Sequence, residues 1–95
     1  MRKLWLDDAW NDYIGWQTED KKTLKRINKL IIDIERNGYF GIGKPEPLRG
    51  NLSGWWSVRI DDANRLVFKI TSGSGQNDQE KNLEIYSCKG HYDHQ

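Results

Sequence analysis

Trp55-Trp56-Ser57-Val58-Arg59-Ile60, Asp61-Asp62-Ala63-Asn64 and Arg65-Leu66-Val67-Phe68-Lys69-Ile70 form the continuous stretch whose reading decides the fold. The first six residues alternate, with Trp56, Val58 and Ile60 on one side and Trp55, Ser57 and Arg59 on the other. That is the period of a strand. The last six keep their apolar residues at even positions too, and the polar residues between them have the composition of a turn. An antiparallel hairpin is therefore expected. If both even sets face one core, Arg59 stands opposite or diagonal to Arg65 on the other, exposed face. Two guanidiniums so close repel, which points to an anionic ligand unless Asp or Glu neighbours neutralise them.

Just before the hairpin, residues 39–51 read as a loop, with Gly41, Gly43 and both prolines of the chain. The prolines frame one acid in Lys44-Pro45-Glu46-Pro47-Leu48. Proline fixes its own φ and drives the preceding residue toward extended geometry, so Glu46 sits on stiff, non-helical backbone. A carboxylate held that way suits a general base, and it equally suits a solvated charge in a rigid loop.

Working further outward, residues 3–6 read as a short first strand, with Asp7-Asp8 as the acidic cap of a helix. In that helix Trp10, Tyr13, Ile14 and Trp16 recur at helical spacing, as a core stripe would. A second helix opens at Thr18-Glu19-Asp20. It carries one apolar stripe of Leu24, Ile27, Leu30, Ile31 and Ile34, with Lys21, Lys22, Lys25, Arg26 and Lys29 largely off it, and it stops at Asn37-Gly38. Its basic face suits solvent or a phosphate backbone. Beyond the hairpin, residues 72–82 are polar and glycine-rich, like a mobile loop. Residues 83–88 form a last strand before Lys89-Gly90-His91-Tyr92 and the tail 93–95. The order strand, helix, helix, three strands predicts an α+β fold: a short N-terminal strand and two helices on one face of a mainly antiparallel sheet formed with three C-terminal strands.

At 95 residues the chain is expected to be one domain, its small core enlarged by five Trp, four Tyr and two Phe. The single Cys88, in an apolar strand, excludes an internal disulfide and reads as a core residue. The start Met1-Arg2-Lys3-Leu4-Trp5-Leu6-Asp7-Asp8 has neither a secretory signal nor a span, so a cytoplasmic protein is expected. Fifteen basic and fourteen acidic residues give a net charge of +1, little for a free-standing nucleic-acid binder. Locally, Lys44, Arg49, Arg59, Arg65 and Lys69 outnumber Glu46, Asp61 and Asp62, so Glu46 lies in a modestly positive region.

No Cys/His cluster at ligand spacing, nucleophile elbow or phosphate-binding loop is present. The polar groups that remain are Glu46, Arg49, Arg59, Arg65, His91 and Tyr92, which are the parts needed for metal-free phosphodiester cleavage. RNA carries its own nucleophile, the 2′-hydroxyl. An enzyme supplies a base for its proton, an acid for the departing 5′-oxygen and a cation for the growing phosphoryl charge. Glu46 would be the base, His91 the acid and Arg65 the clamp. By position alone, His91 is also an ordinary tail residue.

The motifs occur in a recognisable order: residues 43–49 around Glu46, 51–60 through the Trp pair, Asn64-Arg65-Leu66-Val67-Phe68, and Cys88-Lys89-Gly90-His91-Tyr92. Together with Trp5, Trp10-Asn11-Asp12-Tyr13 and Trp16-Gln17 they resemble the YoeB/Txe toxins, in the RelE-like group of bacterial toxin-antitoxin modules, over nearly the whole chain except the loop at 72–82. The resemblance implies a RelE-like, microbial-RNase-type fold and a ribonuclease that cuts mRNA in the ribosomal A site. It further implies a 2′,3′-cyclic phosphate product, no metal or other cofactor, a YefM-like antitoxin and a possible homodimer. It assigns Glu46 as base, His91 as acid, Arg65 to the pentacovalent phosphate, Tyr92 to substrate orientation and Lys44, Arg49 and Arg59 to RNA contacts. The chain departs from the family pattern in its longer loop at 72–82, in Gly90 where a bulkier residue is usual, and in the tail 93–95. Gly90 is expected to loosen the placement of His91. A non-nuclease toxin of the same fold and a protein-binding module are the competing readings; neither needs a base-acid pair.

Overall fold

In a computed structural model of the protein, residues 1–73 and 81–90 are described. The chain runs β1 (Arg2–Trp5), α1 (Asp7–Glu19), α2 (Lys21–Asn37), β2 (Glu46–Pro47), β3 (Trp56–Arg59), β4 (Arg65–Ser72) and β5 (Lys81–Ser87), with single 3-10 turns at Gly38–Phe40 and Gly50–Leu52. The five strands form one sheet in the order β1-β5-β4-β3-β2. All neighbours are antiparallel except β1, which pairs parallel with β5. The expected α+β arrangement holds, and the sheet gains a fifth strand: the segment read as a loop contains β2, so Glu46 lies on a sheet edge.

The apolar stripe of α2 behaves as its spacing predicts, with Ile27, Leu30, Ile31 and Ile34 buried and Leu24 packed beside them. They meet Val58, Leu66, Phe68, Leu83 and Ile85 from the even side of β3 and β4 and the odd side of β5. Each such side chain contributes roughly 1.5–3 kcal/mol when fully buried. Asp20 caps α2 by accepting from the amides of Lys22 (3.0 Å) and Thr23 (3.4 Å) and from the Thr23 hydroxyl (2.8 Å). Those bonds, the hydroxyl's first, hold its carboxyl below the ordinary carboxylate value. Beyond Gly38, Tyr39 stacks on Trp56 at 4.3 Å, and its hydroxyl accepts from the Ile70 amide at 2.8 Å.

Helix α1 departs from its expected reading. Its cap position is Leu6, which makes no side-chain cap, and Asp7 and Asp8 lie in the first turn, where they act on the helix dipole. Of the aromatic stripe only Trp16 is buried, with Tyr13 packed against the core; Trp10 and Ile14 are nearly half exposed. The inward row is Ala9, Asp12, Tyr13 and Trp16. Positions 10 and 14 form the adjacent row, turned away by about 100°.

Candidate active site

The β3–β4 register settles the arginine question: Arg59 pairs directly with Arg65, and Ser57 with Val67. Glu46 pairs with Ser57 from the other side, and Val67 with Ser87 across a bulge in β4 and β5. Glu46, Ser57, Val67 and Ser87 thus form one cross-strand row on the face away from the helices. That face is less open than expected, because Ser57, Val67 and Ser87 are all buried. The hydroxyls of Ser57 and Ser87 have no hydrogen-bond partner among the described residues.

Arg65 reaches over β3 so that its Nη1 lies 3.2 Å from Glu46 Oε1. The Arg65 side chain is 12% exposed and that of Glu46 58%, so the cation is embedded while the carboxylate faces incoming molecules. An ion pair with one partner this exposed contributes on the order of 1 kcal/mol or less, which an oxyanion able to take several guanidinium donors can displace. Arg59 is exposed and has its own carboxylate, Asp62 Oδ1 at 3.9 Å. Both arginines therefore have acidic neighbours, and their closeness is not in itself an argument for an anion. The geometry offers instead one cation and one carboxylate within hydrogen-bond distance, at the rim of a polar row.

Backbone constraints aim Glu46. Lys44 has φ +54 and Gly43 φ +81 immediately before Pro45. The Gly43 carbonyl accepts from the Arg59 amide at 2.9 Å, and the Leu48 amide donates to the Trp55 carbonyl at 2.9 Å. A Cβ on Gly43 would stand 3.1 Å from Leu30 Cδ2 and from Val58 Cβ, so that turn is pressed against the core. Lys44 and Arg49 flank Glu46 along the chain and are exposed, without an ion pair among the described residues.

His91 and Tyr92 lie outside the described residues, as do residues 74–80 and the tail 93–95. The chain leading to them is described up to Gly90, and it is firmly held. Trp16 Nε1 donates to the Cys88 carbonyl at 2.9 Å, and the Cys88 amide donates to Asp12 Oδ2 at 3.4 Å. The Gly90 amide donates to Asn64 Oδ1 at 3.0 Å, and the Gly90 carbonyl accepts from the Arg65 amide at 2.9 Å. Gly90 has φ +91, a conformation that glycine adopts without strain, and it is bonded through both its amide and its carbonyl; the expected loosening of His91 falls outside the described residues. Burial raises the Asp12 carboxyl, partly offset by the Cys88 amide and Lys89. Burial, with Asp12 adding to it, pushes the Cys88 thiol up to about 12, which makes this cysteine a core residue and not a nucleophile. Asp12 and Asn64 are not singled out by the sequence as site residues, although both fall in the motifs that carry the resemblance.

A family model for the YoeB-like toxin of bacterial type II toxin-antitoxin systems matches residues 5–92. The toxin YoeB of Streptomyces coelicolor is 49% identical over 92 residues, covering 97% of this chain and all of that protein. Among solved structures, the YoeB/ParE toxin from Agrobacterium tumefaciens superimposes with a TM-score of 0.86 at 40% identity, over 97% of this chain and 100% of that one. A Staphylococcus aureus YoeB dimer and a YoeB-YefM complex from the same organism each give 0.80, at 41% and 40% identity, over 97% of this chain and 98% of theirs.

Proposed function

Because the chain belongs to the YoeB-like toxin family of bacterial type II toxin-antitoxin systems, we propose that it is a metal-independent endoribonuclease that cleaves mRNA in the ribosomal A site and so stops translation. The observation that carries this reading is the 3.2 Å contact between Arg65 Nη1 and Glu46 Oε1. A scissile phosphate that takes the Arg65 guanidinium displaces the Glu46 carboxylate from it and leaves that carboxylate beside the sugar. Glu46 then removes the 2′-hydroxyl proton, the 2′-oxygen attacks phosphorus, and Arg65 holds the charge that gathers on the phosphoryl oxygens. The bond to the 5′-oxygen breaks as His91 gives that oxygen a proton, leaving a 2′,3′-cyclic phosphate and a 5′-hydroxyl. Tyr92 orients the substrate, and Lys44, Arg49 and Arg59 hold neighbouring phosphates. The slight net charge is consistent with this, since a ribosome supplies much of the affinity.

The partners proposed are the ribosome with its mRNA, a YefM-like antitoxin and a second copy of the chain, all in the cytoplasm. The YoeB-YefM complex of the S. aureus relative supports the antitoxin, and that relative's dimer supports self-association. So does the exposed apolar strip of Leu4, Leu6, Trp10 and Ile14. Primer extension on translating ribosomes tests the reaction. The unaltered protein should give A-site cuts, and Glu46→Ala, Arg65→Ala and His91→Ala should each lower the cutting rate by about 10²- to 10⁴-fold. Unchanged cutting in both Glu46→Ala and His91→Ala would refute the mechanism.

A further inference from the structure

We propose that Asn64 is a positioning residue that locks the arginine hairpin to Gly90, the residue before the general acid, so that Arg65 and the segment leading to His91 are tied together. This rests on the reading of His91 as the acid. Asn64 faces two ways. Its Nδ2 donates to both carboxylate oxygens of Asp61, at 3.1 and 3.2 Å, and its amide donates to Asp61 Oδ1 at 2.7 Å. Its carbonyl accepts from the Ile60 and Asp61 amides at 3.0 and 3.2 Å. Asn64 thus makes most of the bonds that close the turn between β3 and β4, the Ala63 amide adding one to Asp61 Oδ1 at 2.8 Å.

Its remaining atom, Oδ1, accepts from the Gly90 amide at 3.0 Å, while the next residue, Arg65, donates its amide to the Gly90 carbonyl at 2.9 Å. A glycine with φ +91 has no side chain to hold its place, so these two bonds fix it. Residue 91 is the next residue in the chain. Asn64 supplies an acceptor and two donors at fixed angles; a hydrocarbon side chain supplies neither.

The test measures single-turnover cleavage of ribosome-bound mRNA on two substrates, normal RNA and RNA with sulfur in place of the bridging 5′-oxygen at the scissile phosphate. In the sulfur substrate the P–S bond breaks and the thiolate leaves without needing a proton, so the acid becomes dispensable while the base does not. Asn64→Ala should cut normal RNA about 10- to 100-fold more slowly with unchanged ribosome affinity, the scale of a small misplacement of a catalytic group. It should recover on the sulfur substrate, as His91→Ala should, whereas Glu46→Ala should stay slow. The double variant Asn64→Asp with Asp61→Asn keeps the acceptor for Gly90 and a donor–acceptor pair within the turn, and should lose less than Asn64→Ala; it carries the test should the alanine variant fail to fold. Equal slowing of Asn64→Ala on both substrates, no slowing, or a loss of ribosome binding alone would overturn the proposal. So would a double variant, Asn64→Asp with Asp61→Asn, that is slow on both. If His91→Ala itself gains nothing from sulfur, the acid assignment fails instead.

Discussion

Replacing Trp16 by Phe should cost this protein a large share of its stability through one bond. The indole Nε1 donates to the Cys88 carbonyl at 2.9 Å, with Trp16 5% and Cys88 0% exposed, so water cannot replace the lost donor. Leaving a buried acceptor unmet costs about 1–3 kcal/mol. Phe also fills less space than Trp; full truncation of a buried aromatic costs about 3–5 kcal/mol, which bounds that part from above. A total near 2–4 kcal/mol follows, and in a domain of this size each kcal/mol lowers Tm by about 4–8 °C. Thermal unfolding followed by circular dichroism should therefore show Tm falling by at least about 8 °C. A drop of less than about 3 °C would mean that the carbonyl finds another donor and that α1 does not grip the end of β5 as described.

Asp12→Asn should change the pH profile of stability. Burial places the folded carboxyl above its ordinary 3.8, so the folded state binds more proton than the unfolded one between those two values, and stability falls as pH rises through that window. Denaturant midpoints should show the variant gaining on the parent over that interval; a gap independent of pH would refute the burial argument. Cys88, with its thiol pushed up to about 12, should resist iodoacetamide in the native protein near pH 8 and react at the rate of global unfolding; rapid labelling would contradict its burial. Gly43→Ala, which combines φ +81 with contacts of 3.1 Å, should cost about 1–3 kcal/mol in urea unfolding. Trp10→Lys should weaken the proposed self-association, seen as a lower mass in light scattering with the far-ultraviolet spectrum intact, and an unchanged mass would remove the Leu4, Leu6, Trp10 and Ile14 strip from the proposed interface.

The hairpin was legible because alternation is a local signal: the register that keeps Val58 and Leu66 inside also sets Arg59 against Arg65. The α2 stripe and its Asp20 cap were legible for the same reason. Trp10 and Ile14 were misread because helical spacing reports a shared face and does not say what covers it. Strand β2 was hidden by its prolines and exists because β3 offers it an edge, with Arg59 bonded to Gly43 and Trp55 to Leu48. Of the proposed site, Glu46 and Arg65 were legible as types, and their 3.2 Å contact comes from the fold. The contacts of Asp12 and Asn64 with the Cys88–Gly90 segment join residues 76 and 26 positions apart, and no periodicity reports such a distance.

The sheet order has a consequence for the birth of the protein. Strand β5 follows the other four in the chain and lies between β1 and β4. During synthesis, then, β1 has no strand to pair with, and the anchors for Trp16 and Asn64 do not yet exist. Non-local closure of this kind is slow, because distant segments must meet before any contact rewards them. A ribosome making the chain therefore carries an open sheet until β5 has emerged.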